Sequence, residues 1–523
     1  MDGSRNGDGS RKDDGGRKSD GWSPGRWWRG RPLRHRWWIA VGTCLAVGVF
    51  GVGGLLAVDA IRIEQAPCDD KPTDTTTSDY TLDFTVPNGM MPDPQFNGQK
   101  AQLSVHRVAP EYAHGRCAQT PARAAVLIHG RSVPGRPVFD LKGKDQNNNK
   151  LSVQEGLARA GVDTFVPDLL GYGQSTRFPH GLDDPHNASR PAFNAGSTTC
   201  AFPTGCDRTH NAQIFPLDQQ RTKLGTNPLA GKMFAHSSDV RFATIDTWVR
   251  DIRQVIDDAI AKAKPTNGKV TLVGYSLGGP RVGRTLYAAN PNPLLPDSAN
   301  WIGKVDRAVF MASLFGLPTE EVTPAGGFVS FPLTVGDRAT MTSMPLANGP
   351  GTNEQSCSGR VAPGSQDELW KELMKGDGAG KDWGGDDPHH PAGLNRSPTF
   401  STYGWNTAVA GQVTVPTLIL HGFGDGTAPV ANSTAIYNAL PAATKNKVVV
   451  QVTCASHVFM WEGCSGDRCN APSPSTVYGQ QPGTPWAGPH GTVTAALSEW
   501  ITNGTFNGAA SGKFTVDGSG VVH

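Results

Sequence analysis

The chain has 523 residues and a formal net charge of +2. That length allows one large domain with insertions or two smaller ones. So balanced a charge provides no global field for nucleic acid, and 64 Gly with 40 Pro imply long irregular loops between compact elements.

Residues 1–36 hold ten Lys/Arg and five Asp/Glu among many Gly and Ser, with almost no aliphatic side chains. Such a segment buries too little apolar surface to offset its ordering entropy and reads as a disordered basic tail. Trp37 and Trp38 follow, then an uncharged run from Ile39 to Val58. At about 1.5 Å per residue that run spans roughly 30 Å, the thickness of a bilayer's hydrocarbon. Arg29, Arg31, Arg34 and Arg36 precede it and Asp59 follows it. The positive-inside rule then puts the tail in the cytoplasm and the rest of the chain outside the cell. Residues 37–58 are read as a transmembrane signal anchor, giving a single-pass cell-membrane protein. A signal peptide cut near Val58-Asp59-Ala60 is the alternative, with the remainder secreted.

Cys44 lies in the apolar run. The other eight cysteines suit an oxidising compartment. Pairing Cys200 with Cys206, Cys464 with Cys469, Cys68 with Cys117 and Cys357 with Cys454 uses all eight, although the sequence alone allows many connectivities.

Residues 59–77 are polar and Thr/Asp-rich, a linker pattern. Tyr80–Val86 and Ala101–Val108 alternate apolar and polar residues, predicting strands. Ala124–Ile128 is a buried-strand pattern ending in His129-Gly130. Leu151–Ala160 reads as a helix and Asp163–Pro167 as a strand. Residues 176–236 are irregular, polar and too long for an ordinary connection, so they form an insertion. Ile245, Trp248, Val249, Ile252, Val255, Ile256 and Ala259 then mark an amphipathic helix. Lys269–Tyr275 is a strand, followed by a helix to about Ala289. Asp306–Ala312, Thr417–His421 and Lys447–Val452 are further strands, and Val493–Ile501 is a closing helix. Alternation of apolar strands with helices predicts an α/β fold with a mainly parallel sheet covered on both faces. Two core parts, 78–312 and 411–503, are separated by 313–410. That intervening segment carries Phe315, Phe328, Phe331, Trp370, Trp383 and Trp405 and reads as a cap. Residues 504–523 read as a C-terminal tail.

The chemistry centres on Gly274-Tyr275-Ser276-Leu277-Gly278, between a strand and a helix. A serine hydroxyl is a poor nucleophile unless held against a base. A sharp strand-to-helix turn lifts it clear of the sheet, and small residues at 274 and 278 let backbone pass close by. The same turn puts the Leu277 N–H at a helix N-terminus, ready to donate to an oxyanion.

In this motif and four others, taken in order, the chain resembles the α/β-hydrolase superfamily. Val126-Leu-Ile-His-Gly130 resembles the third strand and oxyanion turn. Asp168-x-x-Gly171-x-Gly173-x-Ser175 resembles the loop after the fourth strand. Val415-Pro-Thr-Leu-Ile-Leu-His-Gly-Phe-Gly-Asp425 resembles the seventh strand and its acid turn, and Cys454-Ala-Ser-His457 the histidine loop. The resemblance covers roughly residues 78–503 outside the insertions. It implies an α/β-hydrolase fold with Ser276 as nucleophile, His457 as general base and acid, and Asp425 as the residue that orients the imidazole. Glu320 or Glu321 is the alternative acid. Arg131 is the implied second oxyanion donor, although His-Gly-Arg-Ser departs from the glycine-rich oxyanion loop of one lipase branch. Serine at the nucleophile position argues against the dehalogenase and epoxide-hydrolase branches. His129, Asp168 and Ser175 are read as loop-shaping, and Glu462 as a support of the histidine loop or a surface residue.

The implied activity is hydrolysis of carboxylic esters, small-molecule or lipid-like, through an acyl-enzyme. Peptide or amide hydrolysis, cofactor-free perhydrolysis or lyase chemistry, and a non-catalytic binding role are the alternatives. No metal, nucleotide or flavin cofactor and no nucleic-acid partner is implied; the N-terminal helix is the membrane contact.

Overall fold

The computed structural model describes residues 68–178, 213–216, 224–226, 245–287, 302–317, 333–342, 360–381, 393–398, 404–463 and 477–523, apart from a few isolated positions within those ranges. The basic tail, the apolar run, Glu320 and Glu321 lie outside them. So do Cys44, Cys200, Cys206, Cys357, Cys464 and Cys469. Among the described residues no helix is long and apolar enough to cross a membrane.

Nine strands among the described residues form one sheet. They are β1 (Asp74–Thr85), β2 (Lys100–Glu111), β3 (Arg123–Ile128), β4 (Val162–Pro167) and β5 (Val270–Tyr275), then β6 (Val305–Met311), β7 (Thr417–Gly422), β8 (Lys447–Val452) and β9 (Gly512–Val516). Their spatial order is β1-β2-β4-β3-β5-β6-β7-β8-β9. From β4 to β9 all neighbours run parallel, while β2 is antiparallel to both β1 and β4.

The parallel strands are apolar because both faces are covered. Along β3, Ala124, Val126 and Ile128 enter one core, and Ala125 and Leu127 enter the other. The first core is closed by α3 (Ile245–Ala263), whose Trp248, Ile252, Val255, Ile256 and Ala259 are fully buried at the predicted helical spacing. On the opposite face lie α1 (Gly135–Phe139), α2 (Val153–Arg159) and α7 (Gly488–Asn503). Helix α2 begins at Ser152, whose Oγ accepts the Glu155 N–H at 3.0 Å, a Ser-x-x-Glu cap. Helix α7 ends at Gly504, at φ 75°, whose N–H returns to the Trp500 carbonyl.

Three sequence boundaries shift. The expected linker 59–77 already contains the start of β1, which pairs with β2 from Asp74↔Glu111 to Thr85↔Lys100. As an edge strand it shows most of its side chains to solvent, so its polar sequence conceals it. Just before it, Cys68 forms a disulfide with Cys117. The expected tail 504–523 instead supplies β9, parallel to β8, with Phe506 and Val516 fully buried. Five residues that begin on a glycine carry little period-2 signal. Within the expected cap, Trp405 belongs to the main core. It stacks on Phe310 of β6 with ring centroids 4.8 Å apart, and α4 (Gly278–Leu286) passes so close that a Cβ on Gly283 would lie 2.3 Å from its ring.

Two short antiparallel ribbons lie outside the sheet in the inserted segments. Gln213–Pro216 pairs with Leu224–Thr226, and Leu333–Gly336 pairs with Asn395–Pro398. The second segment also contributes α5 (Ser365–Gly376), and α6 (Ala431–Ala439) follows β7.

Candidate active site

Ser276 sits between the end of β5 and the start of α4 with φ 54°, in the left-handed region that non-glycine residues rarely adopt. The turn is sharp enough that a Cβ on Gly274 would lie 2.5 Å from the Gly278 carbonyl oxygen. One on Gly278 would lie 2.2 Å from that of Ile128. Both positions therefore require glycine for close backbone approach. The Ser276 N–H donates to the Met311 carbonyl at 2.8 Å, tying the strained turn to β6. This leaves the hydroxyl as the group the turn presents.

That hydroxyl meets His457. Ser276 Oγ lies 2.9 Å from His457 Nε2, and His457 Nδ1 lies 2.8 Å from Asp425 Oδ2. The carboxylate only accepts, so Nδ1 carries the proton and Nε2 turns its lone pair toward the serine hydroxyl. All three side chains are buried. Asp425 is held on its other oxygen by the N–H groups of Thr427 (2.8 Å) and Ala428 (2.7 Å). Burial opposes its ionisation, but the charge of His457 and the hydrogen bonds from His421 and His457 outweigh that. They hold the carboxyl well below the usual carboxylate range.

The acid and histidine loops are joined by backbone. Gly424 N–H donates to Ala455 O at 2.9 Å, and a Cβ on Gly422 would lie 2.3 Å from Ser456 O. From below, Glu462 fixes the histidine loop. Its carboxylate is fully buried and accepts from Ser456 N–H (3.0 Å), Ser456 Oγ (2.5 Å) and Arg360 (3.3 Å). Burial raises its carboxyl above the ordinary value. Of its two expected readings, loop support is the one found.

Leu277, the first of the two expected oxyanion donors, is the N-cap of α4 and is buried. Arg131 follows Gly130 with its side chain exposed. Gly130 packs directly on Ser276: a Cβ there would lie 2.8 Å from Ser276 Cβ and 3.3 Å from Oγ. His129 shapes this turn. Its Nδ1–H donates to the Gly130 carbonyl (2.8 Å) and its Nε2 accepts the Leu169 N–H (3.1 Å). Burial, reinforced by the Arg281 charge, pushes its pKa down to about 3, so the ring is neutral. Asp168 accepts N–H groups from Gly135 (2.7 Å) and Gln174 (2.9 Å), and Ser175 Oγ donates to the Asp168 carbonyl. Both residues shape their loop, as expected.

Three contributors are not evident from residue order alone. His421, fully buried, places Nε2 3.1 Å from Asp425 Oδ2 and 2.9 Å from the Ala428 carbonyl. Both neighbours are acceptors, so Nε2 carries its proton. Its position four residues before the acid is the one available clue. Arg281 lies under the oxyanion turn, and nothing in a helix sequence distinguishes it from a solvated arginine. Finally, the ribbon residue Asn395 donates to the Ser132 carbonyl at 2.5 Å, and Ser397 Oγ lies 3.3 Å from Ser132 Oγ. Segment 313–410 thus reaches the turn just after Arg131.

A hydroxyl, an imidazole and a carboxylate thus stand in series on loops after parallel strands covered on both faces. The chain belongs to the alpha/beta hydrolase family, whose model matches residues 125–470. A comparison with curated proteins gives no match. Among solved structures, the chain is similar to a bromoperoxidase from Bacillus anthracis at 16% identity, covering 69% of this chain and 90% of that one, with a TM-score of 0.35. It is similar to a serine hydrolase involved in carbazole degradation at 14% identity, covering 69% and 90%, with a TM-score of 0.34. A monoacylglycerol lipase from Paleococcus ferrophilus has 13% identity, 82% and 100% coverage and a TM-score of 0.33. At that level of similarity none of them says what this chain acts on.

Proposed function

We propose that the chain is a serine hydrolase that cleaves carboxylic esters through an acyl-enzyme, with Ser276 as nucleophile, His457 as base and acid, and Asp425 as the orienting carboxylate. The observation that carries this reading is the unbroken series of 2.9 and 2.8 Å contacts from Ser276 Oγ through His457 to Asp425.

Ser276 Oγ attacks the ester carbonyl while its proton passes to His457 Nε2. The carbon–oxygen double bond opens to an oxyanion, which the N–H groups of Leu277 and Arg131 receive. His457 then gives the proton to the leaving alkoxide, which departs as an alcohol and leaves the acyl group on Ser276. Water repeats the sequence: His457 takes its proton, the acid is released, and Ser276 is restored. Asp425 stabilises the imidazolium in both halves. The position of Leu277 at the α4 N-terminus and the packing of Gly130 on Ser276 support this pair of donors.

Segment 313–410 is read as a cap that shapes the substrate space, supported by the contacts of Asn395 and Ser397 with Ser132. The catalytic part is read as extracellular, held by the apolar run 37–58 or released by cleavage. The basic flank of that run and the Cys68–Cys117 disulfide support export.

A fluorophosphonate probe tests the nucleophile. It labels the wild type, and Ser276→Ala abolishes both labelling and ester hydrolysis. Labelling that survives the substitution refutes the assignment. Matched p-nitrophenyl ester and anilide substrates test the leaving group, and faster anilide cleavage refutes the ester reading.

A further inference from the structure

Arg281 stands on α4 one turn after the nucleophile elbow, and only 1% of it is exposed. Burying a guanidinium is costly unless its donors are matched. Among the described residues no carboxylate lies within ion-pair distance of it. Its Nη1 instead donates to two main-chain carbonyls, His129 O at 3.0 Å and Gly130 O at 3.3 Å. Nη2 donates to the Tyr172 hydroxyl at 3.1 Å. The guanidinium carbon lies 4.3 Å from the Trp248 ring centroid and 5.3 Å from that of Tyr172. Two aromatic faces and one hydroxyl thus hold the group in one orientation, aimed at the oxyanion turn.

The direction of those contacts matters. In a planar trans peptide the C=O and N–H point in opposite directions. The peptide that joins Gly130 to Arg131 has its oxygen pinned from one side by His129 Nδ1 (2.8 Å) and Arg281 Nη1 (3.3 Å). Its nitrogen, the Arg131 N–H, is then directed away from them. Gly130 itself rests against Ser276. The Arg281 charge also polarises this peptide, drawing electron density toward its oxygen and making the opposite N–H a stronger donor.

We propose that Arg281 is a positioning residue that pre-orients and polarises the second oxyanion donor, so that one helix supplies the Leu277 N–H at its N-terminus and the alignment of the Arg131 N–H one turn later. This rests on the serine-hydrolase reading above.

The test compares wild type, Arg281→Met and Arg281→Lys on a p-nitrophenyl ester, with inhibition by a trifluoromethyl ketone whose serine adduct carries the oxyanion. Arg281→Met is expected to lower kcat on the order of 10²-fold, the scale of one lost oxyanion donor, with KM within about threefold of wild type. Ketone affinity falls by a similar factor. Arg281→Lys, which keeps the charge and can reach one carbonyl, recovers about tenfold of that loss. A folded Arg281→Met with wild-type kcat, or one whose loss lies wholly in KM, overturns the proposal. If Arg281→Met does not fold, Arg281→Lys decides the matter: wild-type kcat and ketone affinity there overturn it. Failure of the triad reading is seen separately, as hydrolysis that persists in Ser276→Ala with Arg281 intact.

Discussion

Replacing Gly130 by alanine perturbs the oxyanion turn and little else. Gly130 is not among the residues with positive φ, so its backbone accepts alanine without conformational strain. The added methyl carbon would lie 2.8 Å from Ser276 Cβ and 3.3 Å from Tyr275 Cδ1. Ordinary carbon–carbon contact is about 3.5–4.0 Å, so one partner must retreat by roughly 0.7–1.2 Å. Ser276 Cβ cannot rotate away, because it is fixed by a turn whose N–H is bonded to Met311. The displacement therefore falls on the turn that carries the Arg131 N–H. A misplacement of about 1 Å at a reacting centre costs on the order of 10² in rate. Overpacking costs about 1–3 kcal/mol, which a large domain tolerates. The expected result is kcat/KM on a p-nitrophenyl ester reduced about 100-fold, with a melting temperature lowered by only a few degrees. Gly303→Ala is the control, since a Cβ there meets nothing within 4 Å. A Gly130→Ala enzyme within about threefold of wild type would show that the turn does not set the rate.

Asp425→Asn is expected to lower kcat about 10⁴-fold, because the amide favours the wrong imidazole tautomer. The Asp425 carboxyl is depressed in the folded state, so its ionised form supports stability above the ordinary carboxylate range and loses that support as pH falls below it. The stability difference between wild type and Asp425→Asn, from urea unfolding between pH 6 and 3, should therefore shrink on acidification; a difference that grows contradicts the depressed pKa. Glu462→Ala removes the buried acceptor of Ser456 and Arg360 and is expected to cost about 3 kcal/mol, with a lower kcat as the His457 loop loosens. Unchanged unfolding in urea would exclude that support. Cys68→Ser opens a disulfide spanning 49 residues and is expected to cost up to about 4 kcal/mol; a melting temperature equal to that of the oxidised wild type would refute this.

Much of the frame is legible in residue order. The apolar positions of α3 repeat at helical spacing because one stripe of that helix is buried. β3, β5 and β7 read as continuous apolar runs because both of their faces are covered. Ser276 is legible because its elbow excludes side chains at 274 and 278, leaving a Gly-x-Ser-x-Gly trace. The edges of the sheet are not legible. β1 is polar because one side meets water, and β9 is too short to show a period.

The sequence alone singled out Ser276, Asp425 and His457, since all three stand in turns whose local geometry restricts residue type. It also determined the alternation of strands and helices, because burial on one or both faces writes its period into neighbouring positions. Only the tertiary structure decided that Ser276, His457 and Asp425 meet, since they come from three separate loops brought together by parallel strands. The fold likewise decided that His421 is a second imidazole on the acid, that Glu462 is a buried anchor, and that Arg281 points inward beneath the oxyanion turn. A charged side chain on a helix is written the same way whether it faces water or two buried carbonyls. Only the packing of Trp248 and Tyr172 around Arg281 tells the two apart.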